Sequence, residues 1–220
     1  MRYWTMIICK KATKFDSTNS TIQKFLTAND KCYFMGDFTL GSGYNCDADN
    51  SYNSFILNLK KKPTDPYQRY KISAMQKATS CLKAALKLSH FVSDITLVPM
   101  PSSKADEDAL YDDRMLQVLL DLRQYNPKLS IEDILHTPVS RDSLHDGGQR
   151  DPDILEIKFS MRDSSPPLNN TILLVDDVIT SGASFIACKR IIQRKYPDKS
   201  VKGLFLSRAV SAEPDFDFDL

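Results

Sequence analysis

Two hydrophobic periodicities organise this chain. Between residues 70 and 90, Ile72, Met75, Ala78, Leu82, Ala85 and Leu86 recur at helical spacing, which predicts one long amphipathic helix. Ile95-Thr96-Leu97-Val98 is instead a short apolar run closed by Pro99-Met100-Pro101. Such a run suits a buried parallel strand stopped by proline. A second helix is expected over residues 106–123, with Met115, Leu116, Leu119 and Leu122 facing inward. Ile172-Leu173-Leu174-Val175 is the strongest strand signal. After it come a helix over 184–195, with Phe185, Cys188, Ile191 and Ile192 inward, and a strand over 201–206.

Before residue 60 the pattern is strand-like. Residues 3–9 and 31–40 carry aromatic and β-branched side chains, and 55–59 reads as a less regular strand. Gly41-Ser42-Gly43-Tyr44-Asn45 is a turn-rich loop between them. Helices alternating with apolar strands over 70–207 predict an α/β fold, a parallel sheet flanked by helices, with a small, mainly-strand N-terminal region. The expected division is a strand-rich N-terminal hood over 1–65, a main domain over 66–212 and an acidic tail over 213–220. Residues 136–153, with Pro138, Gly147, Gly148 and Pro152, read as a long loop of the kind that carries function.

Composition narrows the class. The 220 residues are 42% hydrophobic and 26% charged, enough to bury a sizeable core, and the net charge of +1 gives no global field for nucleic acid. The five cysteines (Cys9, Cys32, Cys46, Cys81 and Cys188) form no CxxC pair and no Cys/His ligand spacing. They read as buried free thiols, which argues against structural zinc. Met1-Arg2-Tyr3-Trp4 lacks a signal-peptide core and no run is long enough to cross a bilayer, so a cytoplasmic protein without membrane contact is expected. Residues 47–53 are rich in Asp and Asn but lack the glycine and the glutamate of a calcium loop. Lys60-Lys61-Lys62-Pro63 reads as a solvated basic turn.

The chemistry concentrates in residues 172–184. A buried strand delivers Asp176 and Asp177 to its carboxyl end, where open α/β sheets bind ligands. Val178, Ile179, Thr180, Ser181, Gly182, Ala183 and Ser184 then open a helix, whose unpaired N–H groups and dipole favour an anion. Gly182 permits close approach, and Thr180, Ser181 and Ser184 add hydroxyls. Carboxylates beside an anion cradle suit a sugar phosphate: acids for the hydroxyls, cradle for the phosphate. Response-regulator receivers place their acids after the first strand, and haloacid-dehalogenase-like phosphatases need Asp-x-Asp. Neither pattern is met.

The segment Val175–Ser184 resembles the 5-phosphoribosyl 1-pyrophosphate (PRPP) motif of type I phosphoribosyltransferases, with Ser181 in place of the usual second threonine. Residues 53–210 resemble ComF-like phosphoribosyltransferase-domain proteins, bacterial members with unassigned acceptor, through the Val-Pro-x-Pro strand end, the Ser-Lys after it and Tyr111-Asp112-Asp113-Arg114. The resemblance implies that Asp176 and Asp177 hold the ribose hydroxyls and that Thr180, Ser181, Gly182, Ala183 and Ser184 hold the 5′-phosphate. It makes Pro101, Ser102, Ser103 and Lys104 the pyrophosphate loop, with Arg114 facing the pocket or held in a surface ion pair with Asp112 or Asp113. Catalytic residues would be Asp176, Asp177 and Lys104, with His145 and Arg150 on a lid over 140–150. Tyr70-Lys71 matches a pair in the same relatives without a role. No cysteine cluster stands where ComF proteins carry their zinc-binding N-terminus.

The implied activity is transfer of phosphoribosyl from PRPP to an unidentified nitrogen acceptor, with pyrophosphate released. Mg²⁺ would be held mainly by the substrate and otherwise by Asp176 and Asp177. The rival readings are an effector or subunit of a bacterial anti-phage defence assembly using the same pocket, and a non-catalytic PRPP sensor. A homo-oligomer or a partner protein is compatible with each.

Overall fold

The computed structural model describes residues 11–16, 22–44, 52–87, 94–140, 151–164 and 166–212. Its centre is a six-stranded sheet made from β1 (Thr13–Lys14), β2 (Cys32–Thr39), β3 (Ile95–Pro99), β4 (Ser130–Ile131), β7 (Thr171–Ile179) and β8 (Ser200–Val210). The order is β1-β2-β8-β7-β3-β4; every pairing is parallel except that of β1 with β2. Leu135–His136 (β5) and Ser160–Met161 (β6) form a separate antiparallel pair. The chain is thus an α/β protein with a mostly parallel sheet covered by helices.

Alternation along β7 builds both cores. Leu173 and Val175 join the cluster under α1 (Asn53–Leu59), α2 (Gln68–Leu86) and α3 (Arg114–Asp121). Ile172 and Leu174 join the opposite cluster, with Leu155 of α4 (Pro152–Lys158) and Phe185, Ala187, Cys188 and Ile192 of α5 (Ala183–Lys195). Successive side chains point to opposite faces of a strand, so a continuous apolar run fills two layers at once.

Several elements depart from the sequence expectation. The 55–59 segment is helical: Tyr52, Phe55, Ile56 and Leu59 are all buried at i, i+3, i+4 and i+7, a helical stripe that reads as a strand when only five residues are considered. The expected strand over 31–40 lies inside the main sheet, as β2 beside β8. The helix expected over 106–123 begins at Arg114, because Asp108 and Asp112 take the N–H groups of Leu110 and Arg114 in side-chain turns that compete with helix. In α2 the buried stripe runs through Lys71, Ala74, Ala78, Cys81 and Leu82, and Ile72 is 58% exposed. The 136–153 loop ends in α4, whose start is capped by Asp151 accepting the Asp153 N–H at 2.8 Å, with Pro152 in the first turn. Cys32, Cys81 and Cys188 are buried thiols. Cys9, Cys46, residues 3–9, most of the 47–53 stretch and the 213–220 tail lie outside the described residues. Among those described, no helix is long and apolar enough to cross a membrane.

Two contacts between distant segments dock α1. Tyr52 packs on Gly36, where a Cβ would fall 2.2 Å from the ring. Asn53 clasps the end of β2, accepting from Thr39 N–H and donating to Thr39 C=O, both at 2.8 Å. These contacts fix α1 over the carboxyl ends of the parallel strands.

Candidate functional site

β7 and β3 end side by side and open a cavity of about 590 Å³. Its wall includes Pro101, Ser102, Ser103 and Lys104 after β3, Arg114 at the start of α3, and Asp176, Asp177, Val178, Ile179, Thr180, Gly182 and Ser184 after β7. His145 and Arg150 lie outside the described residues.

The turn into α5 is shaped from both sides. Gly182 has φ of +84°, a conformation that disfavours side chains, and an added Cβ would meet Leu26 at 2.7–2.8 Å. Residues 22–26 lie across this turn: Gln23 Nε2 donates to Ala209 C=O at 2.8 Å and to Ile179 C=O at 3.4 Å, and Phe25 N–H donates to Ser181 C=O at 3.1 Å. Ser181 and Ala183 are therefore buried, with Ser181 Oγ accepting the Ala183 N–H at 3.4 Å. Thr180 and Ser184 stay partly exposed on the cavity wall. The start of α5 thus offers two hydroxyls, helix N–H groups and the positive end of the dipole.

The loop after β3 is pinned as well. Met100 N–H donates to Val175 C=O at 3.0 Å, Thr137 Oγ1 to Ser102 C=O at 2.5 Å, and Lys104 N–H to Ser102 Oγ at 3.2 Å.

The two acids differ sharply. Asp177 is 2% exposed, and its Oδ2 takes Arg114 Nη2 at 2.6 Å and Nε at 3.2 Å. Its Oδ1 faces Lys60 Nζ at 3.2 Å. Burial alone would raise this carboxyl, but Lys60 and Arg114 outweigh it and hold Asp177 down to about 2. Asp176 is partly exposed, and its Oδ1 accepts the Asp177 N–H at 2.8 Å. Burial first, then the charge of Asp177, pushes Asp176 up to about 7.

The pairs continue as a ladder. Arg114 Nη1 meets Asp112 Oδ2 at 2.7 Å, so this arginine pairs with Asp112 and with the site acid together. Lys71 Nζ reaches the same Asp112 oxygen at 2.8 Å and also donates to Lys61 C=O at 2.8 Å. Sequence reasoning gave no role to Lys60 or Lys71. For Lys60 no local signal exists, since its partner lies 117 positions away in the chain. For Lys71 the sequence periodicity pointed away, since it put Ile72 rather than Lys71 on the inward face. Only the structure shows Lys71 in the buried stripe of α2, where a lysine is almost never found without a partner.

The cavity extends past Lys104 to Tyr111, Asp133 and His136. Burial raises both the Asp133 carboxyl and the Tyr111 phenol, the latter to about 12. Among the described residues, His136 Nδ1 is buried without a hydrogen-bond partner.

This is an α/β protein whose cavity joins a helix-start anion cradle, adjacent acids and a set of cations. No protein-family model matches the chain, and no curated protein matches it. Among solved structures it is similar to the Helicobacter pylori xanthine-guanine-hypoxanthine phosphoribosyltransferase, at 16% identity and a TM-score of 0.37, over 66% of this chain and 87% of that one. A likeness of that size carries no argument about function.

Proposed function

We propose that this chain binds ribose 5-phosphate, in the form of PRPP, and transfers the phosphoribosyl group to a nitrogen acceptor with release of pyrophosphate. One observation carries the reading: the partly exposed Asp176 carboxylate and the Thr180–Ser184 helix start share a single cavity with Lys104 and Arg114. The helix start takes the 5′-phosphate. Asp176 accepts from a sugar hydroxyl. Lys104 and Arg114 face the pyrophosphate, whose departure leaves positive charge on the sugar ring and negative charge on the leaving group; fixed cations there lower that barrier.

Magnesium fits this donor set only as an ion carried in by the substrate. Among the described residues no group of three or more His, Cys, Asp or Glu could hold a metal, whereas Mg²⁺ bound to phosphates needs one or two carboxylates and keeps its waters. Asp176 would supply that contact, while the oxygens of Asp177 are engaged by cations. Bound Mg²⁺ would neutralise charge on the departing pyrophosphate.

The test is calorimetric titration of the protein with PRPP and Mg²⁺, beside Asp176→Asn, followed by pyrophosphate release across a panel of nitrogen heterocycles. Saturable binding, weakened on the order of tenfold in the variant as befits one lost charge-assisted hydrogen bond, supports the ligand class. Binding without turnover on any acceptor would favour a sensor or an assembly subunit over a transferase. A wild-type protein that binds no PRPP ends the reading.

A further inference from the structure

The adjacent acids invite the assumption that both hold the sugar. We propose instead that contact with the ribose hydroxyls falls to Asp176 alone, and that Asp177 is a positioning residue that aims Lys60 and Arg114 at the anionic group on the anomeric carbon. The proposal rests on the ribose phosphate reading above and adds Lys60 to the site.

An ionised carboxylate offers about four lone-pair positions. Asp177 has three filled by cationic donors, two from Arg114 and one from Lys60, and its side chain is 3% exposed. A sugar hydroxyl could reach it only by displacing a buried ion pair. Asp176, one residue earlier, leaves the strand on the other face and lines the cavity while partly exposed. One of its oxygens takes the Asp177 N–H, and the other has no partner among the described residues.

The ladder Lys71–Asp112–Arg114–Asp177–Lys60 holds three cations and two carboxylates, a surplus of one positive charge. Arg114, Lys60, Asp112 and Asp177 line the cavity and Lys71 does not; Lys71 offsets Asp112 from behind, which leaves Arg114 and Lys60 against Asp177 on the ligand side. A buried ion ladder is a poor source of stability, since apolar replacements of similar volume are often as stable. Set in the wall of a cavity, it suits binding: two cations immobilised beforehand by one carboxylate lose little freedom when an anion arrives. Lys71 also ties down the turn that carries Lys60, through Lys61 C=O. Both α1 and α2 are thereby committed to aiming one ammonium group.

Calorimetry with three probes separates the roles: ribose 5-phosphate, inorganic pyrophosphate, and PRPP with Mg²⁺. The variants are Lys60→Met, Lys60→Arg and Asp176→Asn, with Lys60 chosen because its side chain is 22% exposed and its loss leaves Asp177 still paired to Arg114. Lys60→Met is expected to weaken pyrophosphate and PRPP on the order of tenfold, with ribose 5-phosphate held within about twofold, and Lys60→Arg to restore most of the loss. Asp176→Asn should do the reverse, weakening both sugar phosphates and sparing pyrophosphate. A merely structural role for Lys60 would move all probes together or none, and either result overturns the clamp while leaving the ribose reading intact. Pyrophosphate bound through Lys60 without either sugar phosphate sinks the ribose reading and supports the clamp. A wild-type protein that binds none of the three overturns both.

Discussion

Asp176 and Asp177 are chemically identical neighbours with opposite surroundings. Strand alternation sends Asp177 toward α1 and α3, where Lys60 and Arg114 wait, and leaves Asp176 on the other face, although both acids line the cavity. Cations hold the one carboxyl low; burial and its neighbour's charge push the other up. A pair of adjacent acids is therefore two different devices, one structural and cationic in its partners, the other free to titrate and to accept.

The sharpest way to break this contrast is to remove the partner of the buried acid. Arg114→Met leaves Asp177 paired with Lys60 and strips Asp112 of one of its two cations. Truncating one member of a buried pair typically costs about 3–5 kcal/mol. In a chain of this size that lowers Tm by roughly 6–20 °C, read by calorimetric or circular-dichroism melting. Loss of stability should also be acid-dependent in the wild type. The depressed Asp177 contributes stability present above the ordinary aspartate range and lost as pH falls toward about 2. A melting temperature unchanged in Arg114→Met would show that the ladder is not holding the fold's site edge together.

The ladder also marks where the sequence stopped being legible. The β7 run, the turn at Gly182 and the start of α5 lie within fourteen contiguous positions, so strand, acids, cradle and helix were readable as one local pattern. The sheet's longer parallel strands and α2 were equally visible, because their apolar content is continuous or periodic. Lys60 was not, since its meaning comes from Tyr52 on Gly36 and Asn53 on Thr39, contacts between distant segments that no local pattern encodes. The short β5–β6 pair and α4 were hidden for another reason: two-residue strands and a seven-residue helix carry too few positions for a period to show.

A smaller effect tests the cradle side of the comparison. Gly182→Ala forces a side chain into φ of +84° and against Leu26. Strain of this kind costs about 1–3 kcal/mol. The variant should melt lower by roughly 2–12 °C and bind ribose 5-phosphate more weakly. Adding Leu26→Ala removes the steric part and leaves the backbone part, so the double variant should recover some of the loss in ligand binding. Full recovery would mean that the φ of Gly182 is immaterial, and no recovery that residue 26 gives way without cost.

The smallest expected effect has the opposite sign. Asp176 binds a proton more tightly folded than unfolded, so its contribution is fully present below the ordinary aspartate value of about 3.9 and is lost as pH rises through about 7. Melting temperature should therefore fall by this group's share between about pH 4 and pH 7, and Asp176→Asn, which cannot ionise, should flatten that slope and be as stable as the wild type or slightly more so at pH 8. Ligand binding runs the other way, because the sugar hydroxyl needs the ionised acceptor: PRPP affinity should rise through the same interval. If both curves are flat in the wild type, Asp176 is ionised throughout, and Lys60 and Arg114 neutralise both acids rather than one.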